Sequence, residues 1–99
     1  MAGPLVSASL AEDAALLRVL AESASTPQQH AALASYYDEQ AAAARKRAEH
    51  HRSMGRAYST GKLVEVIKMK EHCEKLSALY SEQAEEYERV ARAHRELAQ

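Results

Sequence analysis

Residues 29–54, QHAALASYYDEQAAAARKRAEHHRSM, can be laid over residues 72–97, HCEKLSALYSEQAEEYERVARAHREL, by a shift of 43 positions. Eight of the 26 positions are then identical: Leu33/Leu76, Tyr37/Tyr80, Glu39/Glu82, Gln40/Gln83, Ala41/Ala84, Ala48/Ala91, His51/His94 and Arg52/Arg95. The chain holds 21 alanines, which inflate such matches. Alanine does not explain a Tyr-x-Glu-Gln-Ala followed by His-Arg in both copies. The repeat therefore reads as two diverged copies of one helix.

Within each copy, small and aromatic residues recur at alternating steps of four and three. The first copy gives His30, Ala34, Tyr37, Ala41, Ala44, Ala48, His51, Gly55 and Tyr58. Its counterpart gives Cys73, Ser77, Tyr80, Ala84, Tyr87, Ala91, His94 and Ala98. That spacing predicts a coiled-coil seam in which alanines permit close backbones and tyrosines fill the space opposite them.

The breaks between helices follow from turn and capping chemistry. Thr26, Pro27 and Gln29 form a strong helix start: a capping hydroxyl, a proline where no amide donor is needed, and a side chain that reaches back. The helix predicted from there runs 27–58 and ends at Ser59, Thr60 and Gly61, with Gly55 expected to fray it early. A second long helix is expected over 62–98, supported by Glu71/Lys75, Glu85/Arg89 and Glu88/Arg92 one turn apart. Two long helices on a short joint must lie antiparallel. Ahead of them, Ser9 and Glu12 have capping-box spacing, and 10–24 is expected as a short amphipathic helix with Leu10, Leu16, Leu17, Leu20 and Ala24 on one face.

The expected fold class is all-α: a short N-terminal helix plus a long antiparallel hairpin with an internal pseudo-twofold repeat, in a single domain of 99 residues. A chain this short has one modest core, and with no Phe or Trp that core is thin. Burying the first helix together with Leu33, Leu76, Leu79, Val90 and Leu97 takes more surface than one hairpin offers. Homodimerisation to a four-helix bundle is expected to supply it.

Charge and hydropathy narrow the function classes. The net charge is −1 and Lys and Arg alternate with Glu, so no basic stripe is present for nucleic acid. No apolar run approaches the roughly 20 residues of a membrane span, and the first ten residues lack a signal peptide's charged start. Cys73 is the single cysteine, which excludes an internal disulfide. No enzyme is expected, because nothing supplies an orienting group or oxyanion hole for Cys73 with His51, and no Glu-x-x-His pair of the di-iron kind occurs.

The seam does carry metal-ligand chemistry. If residues whose numbers total about 124 stand at one height, His30 faces His94 and His51 faces Cys73. Met69 lies one turn before Cys73, Met54 about one turn after His51, and His50 and His72 flank the seam. Imidazole, thiolate and thioether form a soft set that suits copper before zinc. The metal candidates are thus His51, Cys73, Met69, Met54 and His72, with His30 and His94 as a weaker second pair. A structural reading competes: histidines bond helix carbonyls, methionine fills gaps, and a buried cysteine acts as a small hydrophobe. Haem ranks below both, since the seam is alanine-lined and has no Cys-x-x-Cys-His. A cofactor-free interaction or scaffold protein is the alternative to metal binding.

The stretch from Ala48 to Ala98, with EHHRSM, MKEHCEKL, tyrosines at 80 and 87 and the closing HRELA, resembles a group of small exported bacterial helical-hairpin proteins. Their motifs are His-Arg-x-Met, Met-x-x-His-Cys and a final His-Arg, and the group is largely uncharacterised. The resemblance covers about two thirds of the chain. It implies a periplasmic location and sets His51, Met54, Met69, His72, Cys73 and His94 on the recurring positions. The chain departs from that pattern in having 62–68 where a Gly- and Ser-rich loop belongs.

Overall fold

The computed structural model describes the backbone of residues 6–58 and 64–99, and side chains from Ala14 onward within those ranges. Three helices account for nearly all of it: α1 (Val6–Ser23), α2 (Pro27–Tyr58) and α3 (Val64–Leu97). Among the described residues there is no strand, and no helix is long and apolar enough to cross a membrane.

The start of α2 follows its local chemistry closely. Thr26 Oγ1 accepts from the Gln29 amide at 3.1 Å while Gln29 Oε1 accepts from the Thr26 amide at 3.1 Å and the Ser25 amide at 2.8 Å. Three amides near a helix end that lacks intrahelical partners are thus satisfied, with Pro27 as the first helical residue. The expected start of α1 is corrected. The helix begins by Val6, so Ser9 lies inside it rather than capping it. The turn expected at 59–61 and the first residues of the 62–98 helix lie outside the described residues. From Val64 onward α3 is helical, with no loop before Met69.

α2 and α3 pack along their full lengths, and the core is the expected seam. Ala44, Ala84 and Ala91 are 0% exposed and Ala34, Ala41 and Ala48 are 3–4% exposed. Seam positions too large to be covered by the facing helix, namely His30, Tyr37, His51, Tyr80, Tyr87 and His94, are half-buried. Alanine keeps the two backbones close enough for that coverage, since each added methylene would have to be accommodated in a densely packed interior.

Gly55 does not fray the end of α2. It is buried on the seam, where a Cβ built on it would lie 3.5 Å from Cys73 Cβ and 3.8 Å from the Lys70 carbonyl oxygen. The helix therefore continues to Tyr58, held by packing that offsets glycine's poor helix propensity.

Leu33, expected on the outside, is 1% exposed and is the largest fully buried side chain among those described. It adjoins seam residue Ala34 and falls on the α2 flank along which α1 runs. Of the other expected outer residues Val90 is half-buried, whereas Leu76 is 38% and Leu79 and Leu97 are 59% exposed. α1 touches α2 only lightly and leaves a groove of about 560 Å³ between Leu16, Leu17 and Leu20 on one side and Tyr36, Glu39 and Gln40 on the other.

Candidate metal centre on the helix seam

The seam side chains interdigitate instead of meeting head to head, and this sets the geometry of every candidate ligand. Tyr37 contacts both Tyr87 and His94, each with ring centroids 6.0 Å away. His94 in turn contacts both Tyr37 and His30. Each knob thus fills the space between two residues of the opposite helix.

At the end of the hairpin away from the turn, two ligand atoms converge. His30 Nδ1 and His94 Nδ1 are 3.0 Å apart, with ring centroids 5.3 Å apart and planes inclined by 25°. One ring must carry its proton on Nδ1 and the other present a bare lone pair, since two protonated or two bare nitrogens repel at that distance. Burial, and then the neighbouring His30, hold the His94 imidazole below the usual histidine range. His94 is accordingly neutral at pH 7, the form in which imidazole binds metals. Tyr37 lies parallel to it, 5° between planes, and closes one face of the ring.

Nearer the turn the arrangement differs. His51 stacks on Tyr80 at 5.5 Å with 6° between planes, and His50 meets it edge-on at 5.4 Å. Arg47 lies over the Tyr80 ring, 6.0 Å from its centroid. Nδ1 of His51 is shielded from solvent and has no hydrogen-bond partner among the described residues. Cys73 is a free, buried thiol, 6% exposed, and it is level with Gly55 rather than His51. His51 thus packs on Tyr80 and Cys73 on Gly55, each against a seam neighbour of the residue expected opposite it. Interdigitation is the reason: a residue in the hole between two facing residues is level with neither.

The remaining candidates separate. Met54 is half-buried beside the seam, whereas Met69 is 47% exposed and His72 and His50 are exposed. Among the described residues, no three His, Cys, Asp or Glu side chains converge as a metal group. The structure brings together His30 with His94, and leaves Met69 and His72 exposed while Cys73 is buried. What sequence reasoning missed was the role of Tyr37 and Tyr80 as flat walls for His94 and His51. Their placement seven residues, two seam steps, from the positions expected opposite those histidines on the facing helix was the available signal.

Charged residues keep to the outside. Arg45 pairs with Glu88 and Arg95 with Asp38 across the two helices, and Glu49 accepts from Arg52 and Arg56 on its own helix at 2.6 and 3.2 Å. Those guanidinium hydrogen bonds hold the Glu49 carboxyl below its ordinary range, and the Asp38 carboxylate raises Arg95.

No family model, curated protein or solved structure matches this chain.

Proposed function

We propose that this chain is a small metal-binding protein that holds a soft transition-metal ion, copper before zinc, between facing histidines of a duplicated helical hairpin, and that it works as a homodimer. The observation that carries the reading is the 3.0 Å approach of His30 Nδ1 to His94 Nδ1 from opposite helices. Two nitrogens bound to one ion at about 2.0–2.1 Å lie about 3.4 Å apart at a tetrahedral angle and about 4 Å apart in line, so replacing the shared proton by a metal asks for a movement of about an ångström at most. The depressed basicity of His94 favours the same exchange, because the metal need not first displace a second proton.

Duplication of the helix gives this pair a counterpart. Shifting by 43 residues converts the Tyr37–His94 stack into the Tyr80–His51 stack, and puts Cys73 where His30 stands. The counterpart pair is His51 with Cys73, which has a shielded nitrogen without a partner, a buried thiol, and Met54 nearby. It ranks second because the shielded Nδ1 of His51 meets no hydrogen-bonding atom among the described residues, the Cys73 thiol included. Met69 and His72, both exposed, are its more distant candidates. Storage or delivery of the ion is the role that fits a small carrier, and the periplasm is the compartment that the resemblance suggests.

A competing reading is a cofactor-free helical scaffold, in which the His30–His94 contact is a hydrogen bond that closes the end of the hairpin. The apolar side chains left open on α1 and α3 favour it. Competition titration of Cu(I) into the reduced protein separates the two. Tight one-to-one binding that weakens at least tenfold in His30→Ala and in His94→Ala, and little in His51→Ala or Cys73→Ala, supports the metal reading. Binding weaker than micromolar and unchanged in all four variants supports the scaffold.

A further inference from the structure

Two cross-helix ion pairs fix the register along one flank of the hairpin. Arg45 meets Glu88 and Asp38 meets Arg95, so a step of seven residues toward the start of α2 matches a step of seven toward the end of α3. Seven residues in the other direction, the same register sets Arg52 opposite Ser81. One helical turn further it sets Arg56 opposite Ser77. These four side chains line one cavity of about 330 Å³, together with Lys70 and Gly55.

The two ends of the hairpin differ here in a specific way. A shift of 43 residues carries Asp38 onto Ser81 and Arg52 onto Arg95, so the Arg95–Asp38 ion pair and the Arg52/Ser81 pair are counterparts. One guanidinium faces a carboxylate on the opposite helix, and the other faces a hydroxyl. The same shift puts Ser77 where Ala34 stands and, one position past the aligned stretch, Gly55 where Ala98 stands. Ser77 is the buried polar residue among those described, at 6% exposure, and a Cβ on Gly55 would come within 4.0 Å of Glu74 Cγ. Compared with the far end, the cavity lacks a carboxylate, lacks a methyl group and carries two hydroxyls.

Charge is left over as well. Arg52 and Arg56 share one carboxylate, Glu49 of their own helix, at 2.6 and 3.2 Å, and Lys70 has Glu74 at 3.8 Å. Three cations thus meet two carboxylates, in a chain whose net charge is −1. Glu49 is outside the cavity lining and fixes the two guanidiniums that belong to it. We infer that this cavity binds the phosphate group of a small anion, whose oxygens take the place that the Asp38 carboxylate holds opposite Arg95. A tetrahedral oxyanion suits it better than a carboxylate because donors come from both helices: guanidinium forks from α2, hydroxyls and an ammonium from α3. The site uses none of the candidate metal ligands, so it stands apart from the metal reading.

Titration of inorganic phosphate into the nitrogen-15-labelled chain at pH 8 and low salt, followed by NMR against a chloride control, tests this. Saturable shifts should appear at Arg52, Arg56, Ser77 and Ser81, with half-saturation at millimolar phosphate or below. Ser81→Asp gives Arg52 the internal carboxylate that Arg95 already has, and Arg52→Gln removes the charged donor; each should weaken binding at least about tenfold. Ser81 is half-buried and Arg52 exposed, so both variants should keep the parent's helical circular dichroism. His94→Ala should leave phosphate binding unchanged, whatever becomes of metal binding. Glycerol 3-phosphate titrated alongside identifies the source: tighter binding than inorganic phosphate assigns the cavity to a phosphomonoester, and equal or weaker binding assigns it to the free ion. Shifts that stay linear up to high phosphate, or binding undiminished in Ser81→Asp and Arg52→Gln, overturn the cavity as a phosphate site.

Discussion

Gly55 and Cys73 face each other across the seam, close enough that a Cβ on residue 55 would meet Cys73 Cβ at 3.5 Å. That distance is ordinary van der Waals contact, and Gly55 has no positive φ. Gly55→Ala should therefore be accepted and should stabilise the protein by about 0.5–1 kcal/mol, the helix-propensity difference between the two residues. Urea unfolding with an unchanged m-value checks the gain. The same methyl narrows access to the thiol, so reaction of Cys73 with an aromatic disulfide should slow.

Ala44 and Ala84 sit at the middle of the seam with 0% exposure. Ala44→Leu or Ala84→Leu forces extra volume between backbones that alanine holds close, and each should cost about 1–3 kcal/mol. Ala42→Leu, on the exposed side of the same helix, should fall within about 0.5 kcal/mol of the parent. Denaturant midpoints for the three variants measure the difference.

Truncating Leu33 should be more damaging than its position beside the seam suggests. At 1% exposure, Leu33→Ala should lose about 2–5 kcal/mol. Heat-induced unfolding followed by circular dichroism should show that loss as a drop in midpoint of at least 8 °C, since about 1 kcal/mol moves a domain of this size by 4–8 °C.

The histidine pair makes stability depend on pH in a definite direction. Burial and His30 hold His94 below its ordinary value, so between about pH 6.5 and that lowered value the unfolded chain binds more protons than the folded one. Stability is then fully kept above pH 6.5 and falls as the solution is acidified through that window. Melting temperature measured from pH 7.5 to pH 5 should drop, and His94→Phe should flatten the dependence while keeping a flat ring against Tyr37.

Much of the hairpin was legible because its rules are local. Thr26, Pro27 and Gln29 satisfy one another within four residues, and the four-three spacing of His30 through Tyr58 needs no knowledge of the partner helix to name the buried face. Leu33 was not legible, since it lies beside the four-three seam and not on it, yet is 1% exposed. The pairings were legible only in part: His30 with His94 and Tyr37 with Tyr87 meet as the expected antiparallel register implies, while Cys73 meets Gly55 and His51 meets Tyr80. For the candidate site this matters most, because ligand atoms must agree to a fraction of an ångström while seam packing tolerates ambiguity in which neighbour is called opposite.

Copper K-edge absorption on the Cu(I)-loaded, reduced protein bears most directly on the seam histidines as a metal site. Only nitrogen neighbours are expected around the ion, two of them, with a spectrum unchanged by Cys73→Ala and lost with His30→Ala or His94→Ala. A sulfur neighbour that disappears in Cys73→Ala, or a protein that leaves gel filtration without copper, would contradict it.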